Sequence, residues 1–216
     1  RRVRAAFAEA SVRWPAKPRL LYAWAAPPGA GDVPSAEHEA ALRKALGPWM
    51  AVQGTGDSTA ALATLAKATL AQLEEACRTA VEKNKPFTHV HLLAHGYPVE
   101  QAHKQHFGMA LHDEVGDLRA VTPEEIEQAL KPLVGHTVVV TLATCDAANL
   151  TNTITSKRSI AHGLHELGFP VVVASQFPLT GPGSNLMVET FYKALLDGED
   201  VRGALHQARL VLYERR

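Results

Sequence analysis

The run Val138–Asp146, Val-Val-Val-Thr-Leu-Ala-Thr-Cys-Asp, constrains this chain more than any other stretch. Consecutive β-branched and aliphatic residues with no polar alternation cannot line a half-wet surface, so they read as a strand buried on both faces. The run ends, without Gly or Pro, at a cysteine, an acid and the small polar run Ala147-Ala148-Asn149. Thr88–Gly96 repeats the pattern: Thr-His-Val-His-Leu-Leu-Ala-His-Gly. Strands of this kind belong to parallel sheets covered by helices, and in open parallel sheets ligands and chemistry sit beyond the carboxyl ends of the strands. Two strands ending in His95-Gly96 and in Cys145 would set an imidazole and a thiol at one rim.

The rest of the chain supplies the helices such a sheet needs. Residues 3–12 could form a short amphipathic helix, with 1–18 a linker or helix before the domain. Arg19–Ala25 is an apolar strand, and Ser35 caps a helix that Gly47-Pro48 should stop at about Leu46, before a short strand Trp49–Gln53. Gly54-Thr55-Gly56-Asp57-Ser58-Thr59 lacks the third glycine of a dinucleotide loop and the Lys-Ser/Thr of a P-loop, so a turn and N-cap is the better reading. Leu62, Leu65, Thr69, Leu73, Ala76 and Ala80 make one helical stripe. Residues 97–121 look irregular, with a strand at Phe107–Leu111 and a return at Leu118–Val121. Thr122-Pro123-Glu124-Glu125 is a helix start with a capping-box pattern. After the cysteine strand (136–144) come a polar loop at 146–158 and a helix from Ile160 to Gly168. The apolar strand Phe169–Ser175, a loop at 176–183 and two terminal helices complete the chain. Alternating strands and helices, several strands apolar on both faces, give an α/β fold: one domain with a mostly parallel sheet and helices on both faces.

Composition removes some functions. Lys plus Arg and Asp plus Glu both number 22 in 216 residues, so no charge excess argues for direct nucleic-acid or membrane binding. No apolar run approaches a membrane span and no signal peptide is evident, so a cytoplasmic location is expected. The chain begins with Arg, which fits a piece of a longer protein. Its two cysteines make no disulfide framework, and Cys77, on a helical stripe, reads as a small core residue.

Cysteine attack needs a thiolate and a group that takes and returns its proton, and histidine does both near pH 7. His95 is then general base and acid and Cys145 the nucleophile. Gly96, without a side chain, would let a carbonyl approach its N–H, and the N–H of Cys145 would be the second oxyanion donor. No cofactor is called for.

With these residues in view, the chain resembles the CHAT-domain family of caspase-like cysteine peptidases. The resemblance rests on His-Leu-Leu-Ala-His-Gly followed by a hairpin, on Val138–Asp146, and above all on Phe191–Arg209, Phe-Tyr-Lys-Ala-Leu-Leu-Asp-Gly-Glu-Asp-Val-Arg-Gly-Ala-Leu-His-Gln-Ala-Arg. It runs from about Arg19 to the end. It implies a caspase-like three-layer sandwich around a Rossmann-like sheet, and a dyad of Cys145 and His95 without a third catalytic carboxylate. It also implies a protein substrate held as an extended strand against Ser175, Gln176 and Phe177. Asp146 either enters the cleft, favouring a basic P1 residue, or caps its own loop. The loop Gln176-Phe177-Pro178-Leu179-Thr180 departs from the Trp and acid usual in similar proteins. By analogy with the family, such a domain is a regulated protease joined to a sensor or regulatory domain or subunit, in bacterial antiviral defence or gasdermin activation. Segments 97–121 and 146–158, flanking the presumed cleft, are where an activation switch would act.

Two other readings compete. The eleven histidines raise a zinc hydrolase, because His89, His91 and His95 share one strand face and His103, His106 and His112 follow. A catalytically silent binding module would keep the fold without the chemistry.

Overall fold

The computed structural model describes residues 14–50, 61–101, 104–144, 159–175 and 180–215, with the backbone alone at 100, 101 and 104–106. Five parallel strands form its centre: β1 (Leu20–Trp24), β2 (Leu62–Ala66), β3 (His89–Leu93), β7 (Val139–Ala143) and β8 (Val171–Ala174), in the order β2-β1-β3-β7-β8. The two strands singled out by sequence lie side by side, His89 opposite Val139 and Leu93 opposite Ala143. Every residue of β3 is buried. That is why its sequence, histidines included, shows no exposed face.

Alternation along the strands sends side chains into two separate cores. Leu21, Ala23, Val90, Leu92, Val140 and Leu142 meet α2 (Leu70–Glu82), α3 (Pro123–Leu130) and α4 (Ile160–Leu167). Leu20, Tyr22, Leu93, Val139 and Val173 meet α1 (Ser35–Met50) and α5 (Gly181–Leu196), with α6 (Val201–Glu214) packed on α5. The result is the three-layer α/β sandwich with a parallel sheet that the sequence called for. Cys77 is fully buried on α2, and burial pushes its thiol up to about 12, so it is a packing residue.

Three segments differ from expectation. Leu62–Ala66 is the edge strand β2, registered on β1 from Leu20↔Leu62 to Trp24↔Ala66, and the helix starts only after Thr69. Thr69 and Gln72 form a reciprocal capping box there, so the 3.6-residue spacing of Leu62 and Leu65 with Thr69 and Leu73 was accidental. Second, α1 continues through Gly47 and Pro48 to Met50, because Trp49 and Met50 pack against the second core. The expected strand at 49–53 is therefore absent at Trp49 and Met50, and the remainder lies outside the described residues, as do Gly54–Thr59 and the helix expected at 3–12. Third, 97–121 is not irregular. A three-stranded antiparallel sheet, β4 (Gly96–Gln101), β5 (Lys104–His112) and β6 (Leu118–Val121), leaves the end of β3 directly at His95-Gly96. Gly108 permits its close packing: a Cβ there would lie 1.9 Å from the Val121 carbonyl oxygen. The capping box at Thr122 and Glu125 and the left-handed Gly168 after α4 are both as the sequence indicated.

Candidate active site

The carboxyl ends of β3, β7 and β8 open into a cleft of about 170 Å3, closed on one side by the β1–α1 connection and on another by the start of α5. Its wall is mostly apolar: Val33, Pro34, Leu93, Ala143, Val173 and Met187 contribute, with Phe191 behind. His95 stands at the mouth, on the residue where β3 gives way to β4. Ser175, just past β8, is half-buried in the same wall. The residues named from sequence thus divide. His95, Gly96 and Ser175 are brought to one rim. Cys145, Asp146, Gln176 and Phe177 lie outside the described residues, as does the loop 146–158.

His95 is oriented by a group no motif search would have named. Its Nε2 lies 3.1 Å from the backbone carbonyl oxygen of Asp32. A carbonyl can only accept, so Nε2 carries the proton and, in the neutral ring, Nδ1 keeps the lone pair. The ring is held as a base pointing its free nitrogen elsewhere. Gly31 beside it has a left-handed backbone (φ +92°), a conformation that residues with a side chain rarely adopt.

Gly96 is placed to offer its N–H. The amide of Ala110 donates to the His95 carbonyl at 2.9 Å, which makes 95 and 110 a hydrogen-bonded pair of the β4–β5 ladder. The next pair, Gly96↔Met109, is then of the non-bonded kind, and the Gly96 N–H faces away from β5.

Beneath the cleft runs a buried polar chain that the sequence did not reveal. Tyr22, His91 and Thr141 lie opposite one another on β1, β3 and β7. His91 Nε2 is 3.0 Å from His38 Nδ1 on α1, and His38 Nε2 is 3.1 Å from Ser184 Oγ on α5. On its other side, His91 Nδ1 is 3.3 Å from the Tyr192 hydroxyl, which is 2.9 Å from Thr141 Oγ1. Burial pulls His38 down to about 4, and burial together with the neighbouring His38 holds His91 well below the usual imidazole range, so both rings are neutral. Ser184 and Thr141, the two ends of the chain, both line the cleft.

This chain uses both nitrogens of His91, which removes it from the proposed zinc set. His89 sits at the far end of β3, bonded through Nδ1 to Thr88 at 2.8 Å. Among the described residues no three His, Cys, Asp or Glu side chains converge as a metal ion would need. Nor is any helix among them long and apolar enough to cross a membrane.

Comparisons with known proteins follow the same lines. The structure of a secreted C11 cysteine protease from Bacteroides thetaiotaomicron, solved with an irreversible peptide inhibitor, superposes with a TM-score of 0.53 at 10% identity. The match covers 92% of this chain and 59% of that one, so the present chain spans less than two thirds of its length, and the likeness is one of fold. A reconstructed last common ancestor of HMPPK and PLK/HMPPK vitamin kinases reaches only 0.42, at 14% identity over 91% of this chain and 99% of that chain, which falls short of a shared fold. No curated protein matches the sequence. The model of the CHAT domain family, however, matches residues 3–216, nearly the whole sequence, and the chain belongs to that family.

Proposed function

We propose that this domain is a caspase-like cysteine endopeptidase, with His95 as general base and acid and Cys145 as nucleophile. The observation that carries the reading is the His95–Asp32 hydrogen bond, because it leaves Nδ1 as the bare ring nitrogen, able to take a proton from a thiol. The register and the sequence support it: His89 pairs with Val139 and Leu93 with Ala143, and Cys145 follows the last residue of β7 by two positions as His95 follows the last of β3.

The steps follow from these groups. Nδ1 of His95 takes the Sγ proton, and the thiolate attacks the scissile carbonyl of an extended peptide. The N–H groups of Gly96 and Cys145 receive the negative oxygen. His95 returns its proton to the departing amine, leaving an acyl-enzyme. Water, deprotonated by His95, then attacks the thioester carbonyl; thiol and peptide acid are released. Throughout, the Asp32 carbonyl steadies the ring whether it is neutral or charged. Ser175, with Gln176 and Phe177, forms the rail for the substrate backbone. By analogy with other CHAT proteins, we also propose that a sensor or regulatory partner controls the protease, in bacterial antiviral defence.

The test is labelling with a cysteine-directed peptidyl probe, wild type beside Cys145→Ala, His95→Ala and Cys77→Ala. Labelling should vanish in the first, fall strongly in the second and persist in the third. Label on Cys77 alone would overturn the proposal, and retained partner binding with no labelling would mark a silent binding module.

A further inference from the structure

The polar chain beneath the cleft has a property that its individual bonds do not. It comprises five groups in series, Ser184, His38, His91, Tyr192 and Thr141, and four hydrogen bonds. A neutral imidazole has one N–H and one bare nitrogen. If Ser184 donates to His38, then His38 must donate to His91, His91 to Tyr192 and Tyr192 to Thr141. If instead Thr141 donates to Tyr192, every bond reverses. A mixed arrangement needs either a charged ring, which burial disfavours, or a Tyr192 hydroxyl that accepts from both sides and leaves its own proton unpaired in the core, which costs free energy. In the first state Thr141 has a spare proton while Ser184 presents only lone pairs. In the second the roles exchange. In either state one end of the chain can donate and the other can only accept.

Both ends line one mostly apolar cleft. Resting on the peptidase reading above, we infer that this cleft receives a long neutral side chain with a carboxamide tip, so that the preferred substrate carries glutamine at the position whose side chain enters it. A carboxamide is itself one donor group and one acceptor, and it satisfies the chain in either direction. A carboxylate offers acceptors only, and a guanidinium or ammonium offers donors only. Each would leave one hydroxyl wrongly matched, or force a charge into the buried histidines, in a wall with little to solvate it. The side chain must be long because Thr141 lies two residues below Ala143, about 7 Å further down the strand. Ser184 and Thr141 are therefore specificity residues. His38, His91 and Tyr192 act through them as positioning residues.

The experiment uses the full-length protein and a peptide library with glutamine, methionine, arginine, lysine, glutamate or aspartate at the varied position. Alkylation of Cys145 by iodoacetamide, which has no side chain to recognise, is measured in parallel against Cys145→Ala. Glutamine peptides should have the highest kcat/KM, and the glutamine-to-methionine ratio should fall about tenfold in both Thr141→Val and Ser184→Ala, the usual size of one buried hydrogen bond. A variant that only loosens the fold would lower both peptides together and leave that ratio alone. Ser184→Ala, at a half-buried hydroxyl, keeps the test open should Thr141→Val fail to fold. Preference for arginine or lysine in a protein whose Cys145 alkylates would overturn the inference and leave the peptidase reading standing; so would an unchanged ratio in Ser184→Ala. If Cys145 does not alkylate and no peptide is cut, the peptidase reading falls and takes this inference with it.

Discussion

The two faces of the sheet are built on opposite rules. Toward α2, α3 and α4 the buried strand residues are aliphatic, and even the cysteine there is inert filling. Toward α1 and α5 the same strands present Tyr22, whose hydroxyl donates to the Ser35 carbonyl, and His91 and Thr141, joined to His38, Tyr192 and Ser184. Burying neutral imidazoles and hydroxyls adds little net stability even when every bond is made, whereas aliphatic packing adds roughly 25 cal/mol per Å2 of apolar surface. The difference teaches that the first face is packing alone, whereas the second adds a specialised polar chain to its own apolar core. The specialised face is also the one on which the cleft opens.

The comparison can be broken in several ways. The largest effect belongs to the rim: His95→Ala should lower peptide hydrolysis by roughly 10²–10⁴-fold. Its melting temperature should stay near wild type, since His95 is only half-buried; a collapse of the fold instead would show a structural role. Next, Leu130→Ala on the aliphatic face should cost about 2–5 kcal/mol in denaturant unfolding, because Leu130 is fully buried. Its glutamine-to-methionine selectivity should not move.

The third prediction concerns acid. His38 and His89, both held near 4 by burial, stay neutral in the folded protein while the unfolded chain protonates them at the ordinary value of 6.5. The unfolded state then binds more protons, so the share owed to these two is full above about pH 6.5, falls as pH drops and levels off near pH 4, while His91, held lower still, continues the fall below that. His38 and His89 each contribute on the order of 3 kcal/mol to the fall. Unfolding free energies measured from pH 7 to 4 should show the slope, and His38→Gln should flatten it; a slope unchanged in that variant would contradict the burial of a neutral ring. Smallest is Tyr192→Phe, expected to cost about 1–3 kcal/mol by stranding His91 and Thr141. It sharpens the comparison if selectivity falls more than stability does.

What could be read from the chain and what could not follow from the range of the interactions involved. β3 and β7 announced themselves because a strand buried on both faces needs an unbroken apolar run, and β8, half-buried beside β7, carries the same kind of run. The start of α3 did so because a capping box is complete within four residues. β2 escaped because Leu62 and Leu65 fell by chance into phase with the helix behind them, and only pairing with β1 decides between the two. β4 escaped because Pro98 breaks a strand pattern, though an antiparallel hairpin tolerates it.

At the site, His95 was legible as a residue and its tautomer was not. The deciding acceptor is a backbone carbonyl, which every residue carries, so no letter in the sequence marks Asp32. The same holds for the polar chain. His38, His91, Ser184 and Tyr192 come from three elements, the bonded pair His38 and Ser184 lies 146 positions apart, and only the packing of α1 and α5 over β3 brings them together. The amino-acid sequence by itself determined the α/β class, the family, and which strands end in histidine and glycine, since these rest on local pattern. The tertiary structure alone decided which carbonyl orients that histidine and which hydroxyls face the cleft, because these depend on distances between elements that no local pattern encodes.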